Sequence, residues 1–395
     1  MLTAPTRRAA LHRLAQFVPQ AGESYAVGRN TDPGPDRPGA VSRLSPALRY
    51  RLITEQDVIA RVLARHSQAA AEKFIQEVCW RTYWKGWLEM RPDAWRRFVA
   101  ERDAAREANA GSAALAAAEQ GQTGIDAFDA WAGELVARGY LHNHARMWFA
   151  SIWIFTLRLP WTLGADFFLR HLLDADAASN TLSWRWIAGL QTAGKTYLAR
   201  ADNIARFTEG RFEPIGLAPE ATALTEPPMG PALPLPVLAA PDPTAPSLLL
   251  IHHEDLSPEF LFPASAPIRA VASMADPALL WGDAARRFAA SGAADAAERA
   301  AEQFGCPSAV HPVLDTACLL AQARAAGVRQ IVTAYAPVGP VADALARITA
   351  QLAQEGIALC QVRRRWDEGL WPHATRGFFA FNAEIEGQLR ADGLI

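Results

Sequence analysis

Cysteine is scarce in this chain: four residues, Cys79, Cys306, Cys318 and Cys360, are scattered through 395 positions with no C-x-x-C pair, so they read as buried free thiols and not as a paired metal or redox site. Long apolar runs are also missing. The longest, Met147 to Leu157, falls short of the ~18 residues a membrane span needs, and no signal-peptide core opens the chain. Arg7 and Arg8 beside Ala9, Ala10 and Leu11 resemble a transit peptide in composition but read equally as an amphipathic first helix, and a cytoplasmic location with no membrane partner is expected. Charge of one sign is lacking as well, with 39 Lys and Arg against 41 Asp and Glu. A net charge of −2 gives no global sign of a nucleic-acid partner, so any such contact must come from a local basic surface. Lys85, Arg91, Arg96, Arg97, Arg185, Lys195, Arg200 and Arg206 are the candidates, each weighed against being an ordinary solvated charge. No Gly-rich dinucleotide fingerprint is present either.

Half of the residues are apolar, enough in a chain of this length for two domains with substantial cores. Up to about Phe212, Ala, Leu, Arg and Trp recur at helical periodicity, which predicts an all-α domain over 1–212. Ten prolines and few charges between Pro214 and Pro246 cannot propagate helix or central strand, so 213–246 reads as a linker or an extended segment lying on the surface. From Ser247, apolar runs at 248–252, 268–272, 331–335 and 358–362 alternate with Ala-rich helical patterns near 277–303, 314–326 and 340–354. This alternation predicts a doubly wound, Rossmann-like α/β domain over 247–395, mostly parallel, with helices on both faces.

The chemistry concentrates between Gly139 and Trp186. Asn143, Arg146 and Met147 fall at i, i+3 and i+4, so one helical face presents an amide, a guanidinium and a thioether. Asp174, Asp176 and Asn180 follow within two turns, and Trp184-Arg-Trp186 comes directly after. Such groups at such spacings suit a buried aromatic cofactor. Two other patterns carry less. His252-His-Glu-Asp255 ends an apolar strand and lacks the spacing of a tetrahedral metal cage. Gly189 to Thr196 satisfies the phosphate-loop pattern G-x-x-x-x-G-K-[ST], yet that loop must follow a buried strand and open a helix, whereas Ser183 to Ile187 is helical and Trp-rich.

From about Ala15 to Phe207 these motifs stand in an order that resembles the flavin-binding half of DNA photolyases and cryptochromes. Gly22-Glu-Ser-Tyr25 is similar to the turn whose tyrosine contacts the flavin diphosphate. Ser42-Arg43-Leu44-Ser45 is similar to the loop that wraps the phosphates, with Val41 where a threonine is usual. Phe74-Ile-Gln-Glu77-Val-Cys-Trp80-Arg81 resembles the helix that supplies a substrate-binding glutamate, a stacking tryptophan and a flavin-side arginine, Phe74 standing for an expected tryptophan. The resemblance further implies non-covalent FAD with Tyr140 among its contacts, Arg146 and Asp174 as a charge pair beside the isoalloxazine, Asp176 accepting from the ring N3–H, and Asn180 facing N5.

For the substrate, the resemblance implies Glu77, Asn143 and Met147 at positions facing a cyclobutane pyrimidine dimer, with Trp80 and Trp186 as stacking walls around bases taken out of the duplex. The family's (6-4) enzymes use a histidine pair, and His142 and His144 lie on different helix faces. Trp184 and Trp161 match two members of the electron-transfer chain. A third is missing from the Ala/Gly-rich segment 105–120, and Trp131, Trp148 and Trp153 are substitutes. Arg185 and Lys195 are the candidate DNA contacts that the resemblance implies. Some relatives hold an iron–sulfur cluster on four cysteines, but those here do not match such a site by spacing, and no metal is expected. In photolyases an α/β antenna domain precedes the flavin domain; here an α/β domain follows it, either that domain in permuted order or one acquired independently. No residue pattern marks an antenna chromophore. The implied activity is light-driven repair of cyclobutane dimers in UV-damaged DNA by a monomer, single-stranded DNA being a substrate option, against a cryptochrome-like light receptor as the alternative.

Overall fold

Helices run from Arg7 to Phe207, and no strand precedes Ser247 among the described residues. The structure is a computed structural model that describes residues 4–395. The change of composition near Phe212 is not where the chain divides in space. One compact unit joins residues 4–19, 42–90 and 232–395, and the other comprises Gln20–Val41 and Arg91–Pro231.

The first unit holds the α/β part together with four early helices, Arg7–Phe17, Ser45–Arg49, Glu55–Leu63 and Gln68–Glu89. Glu55–Leu63 starts at a capping box: the Asp57 N–H donates to the Thr54 hydroxyl at 3.1 Å, and the Thr54 N–H donates to the Asp57 carboxylate at 2.9 Å. Gln68–Glu89, opened by Ser67, becomes buried all round from Thr82 onward, which explains an apolar pattern with no single stripe. Gly86 permits this depth, since a Cβ there would lie 2.9 Å from the Trp371 Cα.

The sheet comprises β1 (Ser247–His252), β2 (Ile268–Met274), β3 (Ser308–His311), β4 (Gln330–Ala334) and β5 (Ala358–Val362), all parallel, in the order β3-β2-β1-β4-β5. Every residue of β1 is buried, as a central strand covered on both faces requires. Leu248, Leu250, Ala270, Ala272 and Ile331 share a core with Leu319 and Ala323 of helix Thr316–Ala326 and with Leu345, Ile348 and Leu352 of helix Pro340–Gln354. On the alternate face of β2, the Ser273 hydroxyl donates to the Ala293 carbonyl of helix Asp283–Phe304 at 2.8 Å. Helices therefore cover both faces, as right-handed crossovers from this strand order demand. β3 was not among the expected strands, being four residues long and half exposed at the sheet edge. Helices Arg365–Leu370 and Phe378–Ala391 also add to the expected elements.

In the second unit, helices Asp93–Ala108, Ala113–Gln120, Asp126–Arg138, Asn143–Ser151, Trp161–His171, Ala177–Ile187 and Ala201–Phe207 surround an aromatic interior of Phe128, Trp131, Trp148, Phe149, Trp153 and Phe168. A π-helical turn, Ile152–Thr156, follows Ser151 directly. The Pro-rich segment forms neither helix nor strand and lies along the surface of each unit in turn. Its Leu224 N–H donates to the Ala188 carbonyl and its Pro227 carbonyl accepts from Arg97 in the second unit, and its Leu233 N–H donates to the Met90 carbonyl in the first. No helix of the described residues is long and apolar enough to cross a membrane.

Candidate functional site

The candidate residues are divided between the units. In the second unit, Gly139 in the left-handed region (φ 65°) ends helix Asp126–Arg138, and two residues of turn carry the chain to the His142 cap. The His142 imidazole Nδ1 accepts from the His144 N–H at 3.2 Å, which leaves Asn143 exposed at the first helical position and Arg146 and Met147 one turn on. Arg146 is fixed at three points. Its Nε donates to the Leu141 carbonyl at 2.9 Å, and its two terminal nitrogens reach Asp174 at 3.2 Å. Its guanidinium also lies 5.7 Å from the centre of the Tyr140 ring. Asp174 is 5% exposed, so this fork-on-carboxylate pair places a fixed positive charge where water competes little.

Asp176 caps the next helix, its carboxylate accepting from the Ser179 N–H at 2.7 Å. Asn180, 8% exposed, donates through its amide to the Ala165 carbonyl at 2.9 Å, which sets the side chain's orientation. Trp184 is buried, in edge contact with Phe168 (5.1 Å) and Trp153 (6.3 Å), and Trp161 packs on Phe98 at 5.6 Å. Of the three substitute tryptophans, Trp153 is the one in ring contact with Trp184, while Trp131 and Trp148 stack on each other at 5.4 Å. Trp186 is half-buried and lies 5.9 Å from Tyr197. Tyr25 is buried in helix Glu23–Gly28. His142 and His144 are both used structurally, the second stacked on Trp148 at 4.1 Å with its Nδ1 against the Asn30 carbonyl and its pKa lowered by burial.

In the first unit, Arg43 adopts a left-handed backbone (φ 55°) in the loop before Ser45, and the Ser42 hydroxyl accepts from the Leu44 N–H at 3.3 Å. Leu44 is fully buried. Phe74 packs on Phe17 at 5.0 Å; Glu77, Trp80 and Arg81 follow along helix Gln68–Glu89, half-buried. Trp80 lies face to face with Phe378, ring centres 3.7 Å apart and planes 9° apart. No reading of the helix Gln68–Glu89 alone could reveal this partner, which comes from the far end of the chain.

Two basic candidates are corrected. Arg185 is 2% exposed and forks onto Glu226, and Lys85 is 5% exposed and 3.2 Å from Glu254; both charges are neutralised internally and neither is offered to DNA. Lys195, Arg200 and Arg206 are exposed. The phosphate-loop pattern at Gly189 to Thr196 follows a helix and opens none, the next helix beginning at Ala201. His252-His-Glu-Asp255 is a pairing centre: His252 Nε2 lies 3.0 Å from the Ala334 carbonyl, Glu254 takes Arg49 and Lys85, and Asp255 takes Arg364 and Arg51. Cys79 and Cys360 are buried and Cys306 and Cys318 half-buried, all four as free thiols.

Residues 74–216 match the family model described as the FAD-binding domain of DNA photolyase. Among curated proteins, the deoxyribodipyrimidine photo-lyase of Streptomyces griseus is 33% identical over 178 residues, 42% of this chain and 38% of that protein. The enzyme of the same name from Escherichia coli is 30% identical over 198 residues, covering 48% and 40%. The chain thus spans well under half the length of these relatives. A crystal structure of a class III photolyase from Agrobacterium tumefaciens superposes over 52% of this chain and 43% of its own, with 27% identity and a TM-score of 0.44. The similarity to photolyases read from the motifs is present in the sequence comparisons, and the family match at 74–216 takes in Glu77, Arg146, Asp174 and Asn180.

Two buried hydroxyls, one in each unit, lie among or beside residues that the resemblance assigns to the flavin. Ser45 Oγ, in the loop that resembles the phosphate wrap, and Thr181 Oγ1, beside Asn180, have no hydrogen-bond partner among the described residues. Buried polar atoms are nearly always paired, so each is free to take a water or a ligand atom as its partner.

Proposed function

We propose that this protein is a light-dependent flavoprotein lyase that returns cyclobutane pyrimidine dimers in DNA to separate pyrimidines. The observation that carries the reading is the Arg146–Asp174 pair, anchored to the Leu141 carbonyl and held in a segment that matches a photolyase FAD-binding domain. FAD, when bound and reduced, supplies a one-electron donor under blue light. Arg146 stabilises negative charge on the group beside it, and Asp174 holds Arg146 in place. Asp176 and Asn180 present polar groups to the same ring system, and Ser42 to Ser45 with Tyr25 serve the diphosphate. Trp80 and Trp186 offer flat apolar faces to bases that have left the stack. Asn143 and Glu77 hydrogen-bond the pyrimidine carbonyls and N–H groups, and Met147 supplies a soft apolar contact. Trp184, through Trp153 or Trp161, would carry the electron needed to reduce a bound flavin.

The finer reading is a cytoplasmic monomer with a preference for single-stranded DNA. With Lys85 and Arg185 turned inward and the chain close to neutral, two of the basic candidates that would hold a duplex are withdrawn from the surface. The same observation favours the second reading, a cryptochrome-like receptor that uses the flavin for signalling. The two separate in one assay: reduced protein is mixed with an oligonucleotide carrying a single thymine dimer, and absorbance near 260 nm is followed under blue light and in the dark. Light-dependent recovery that is lost in Glu77→Ala and Asn143→Ala supports repair. Stoichiometric FAD with neither dimer binding nor recovery refutes it in favour of the receptor.

A further inference from the structure

We infer that Phe378 is a positioning residue for Trp80: the C-terminal helix supplies the back layer of a two-ring platform whose front layer is the base-stacking tryptophan. The inference rests on the function proposed above.

Trp80 is half-buried on helix Gln68–Glu89, and one of its faces is covered by the Phe378 ring at 3.7 Å and 9°. Aromatic pairs ordinarily prefer an offset or edge-on arrangement to a face-to-face sandwich. A near-parallel pair this close is held by its surroundings, and those surroundings can be named. Phe378 is 6% exposed and stands at the first position of helix Phe378–Ala391. Tyr83 meets its edge at 5.6 Å and Phe381 lies at 5.9 Å. The Tyr83 hydroxyl donates to the Arg376 carbonyl at 2.8 Å, tying down the turn that delivers Phe378. Trp80 is also flanked by Tyr83 at 5.5 Å and Trp84 at 5.2 Å. With one face occupied and two neighbours against it, rotation of the indole about its side-chain torsions is restricted, which favours one orientation for its remaining exposure. A pre-set flat surface loses less rotamer freedom when a base stacks on it, so affinity for the dimer depends on a residue that never touches it.

The test uses the full-length protein with FAD. Dark binding of a dye-labelled dimer oligonucleotide is measured by anisotropy, beside the repair yield per absorbed photon at saturating oligonucleotide. Phe378→Leu, which keeps apolar bulk but loses the flat ring, should weaken binding about two- to tenfold, the range of an aromatic pair's worth beyond its area. Repair yield at saturation and FAD content should stay unchanged. Phe378→Tyr should restore wild-type affinity, and Phe379→Ala, at the 91% exposed neighbour on the same helix, should leave it unaltered. Wild-type affinity in Phe378→Leu, with Trp80→Ala binding weakly, overturns the inference while the lyase reading stands. Tighter binding in Phe378→Leu overturns it too, since the ring would then be a cap on Trp80. Failure of the wild-type protein to bind the dimer overturns the lyase reading itself.

Discussion

Asp255→Asn should unfold the α/β-containing unit far more readily than its small change in shape implies. The wild-type carboxylate is fully buried and accepts from Arg364 Nε and Nη2, both at 2.7 Å, and from the Ser257 N–H at 3.0 Å, with Arg51 at 3.5 Å. Asparagine keeps one acceptor but puts an NH₂ donor against a guanidinium donor and leaves Arg364, 7% exposed, without its charge partner. Removing one member of a buried ion pair costs about 3–5 kcal/mol. For a unit of this size each kcal/mol moves Tm by about 2–4 °C, so a fall of about 6–20 °C is expected at pH 7. The pH dependence provides a second check. Burial alone would raise the Asp255 carboxyl, but the charge and hydrogen bonds of Arg364, with Arg51 and the Ser257 N–H, hold it below the ordinary carboxylate range. Because the folded value lies below the unfolded one of about 3.9, the contribution is complete above about pH 5 and is lost as pH falls through the folded value. The gap between wild type and Asp255→Asn should therefore narrow toward pH 3. Thermal denaturation followed by circular dichroism across this range reads both effects. A loss below about 1 kcal/mol at pH 7, or a gap that does not change with acidification, would refute the reasoning.

Arg146→Ala should copurify with a small fraction of the wild-type FAD, measured by absorbance near 450 nm, because the fixed positive charge held by Asp174 and the Leu141 carbonyl is removed. Gly164→Ala should destabilise the helical unit by about 1–3 kcal/mol in chemical denaturation, since a Cβ there overlaps the Trp184 ring and lies 2.9 Å from Trp153 Nε1. His253→Phe should flatten the pH dependence of stability between about pH 6.5 and 4. Burial, only partly offset by Glu254, holds the His253 imidazole down at about 3, so the unfolded chain takes up the proton first and stability falls as pH drops below the unfolded value; the variant has no such proton to bind.

The local patterns were enough to locate the helical stretches, the irregular Pro-rich segment and four of the five strands, because helical periodicity, continuous apolar runs and proline act within a few residues of chain. The pairing of Arg146 with Asp174, 28 residues apart, was implied by the family resemblance and not by local spacing. β3 escaped because an edge strand of four half-exposed residues carries neither an apolar run nor a clean alternation. The burial of Arg185 and Lys85 is hidden for a related reason: a cation's sequence neighbours do not reveal that Glu226 or Glu254 will neutralise it. The stacking of Phe378 on Trp80 and the four-way pairing around Glu254 and Asp255 join residues from opposite ends of the chain. Sequence by itself determined what is set by local torsions and burial periodicity. Tertiary structure alone decided which charges cancel and which rings stack, because those depend on long-range closure of the chain that no local signal encodes.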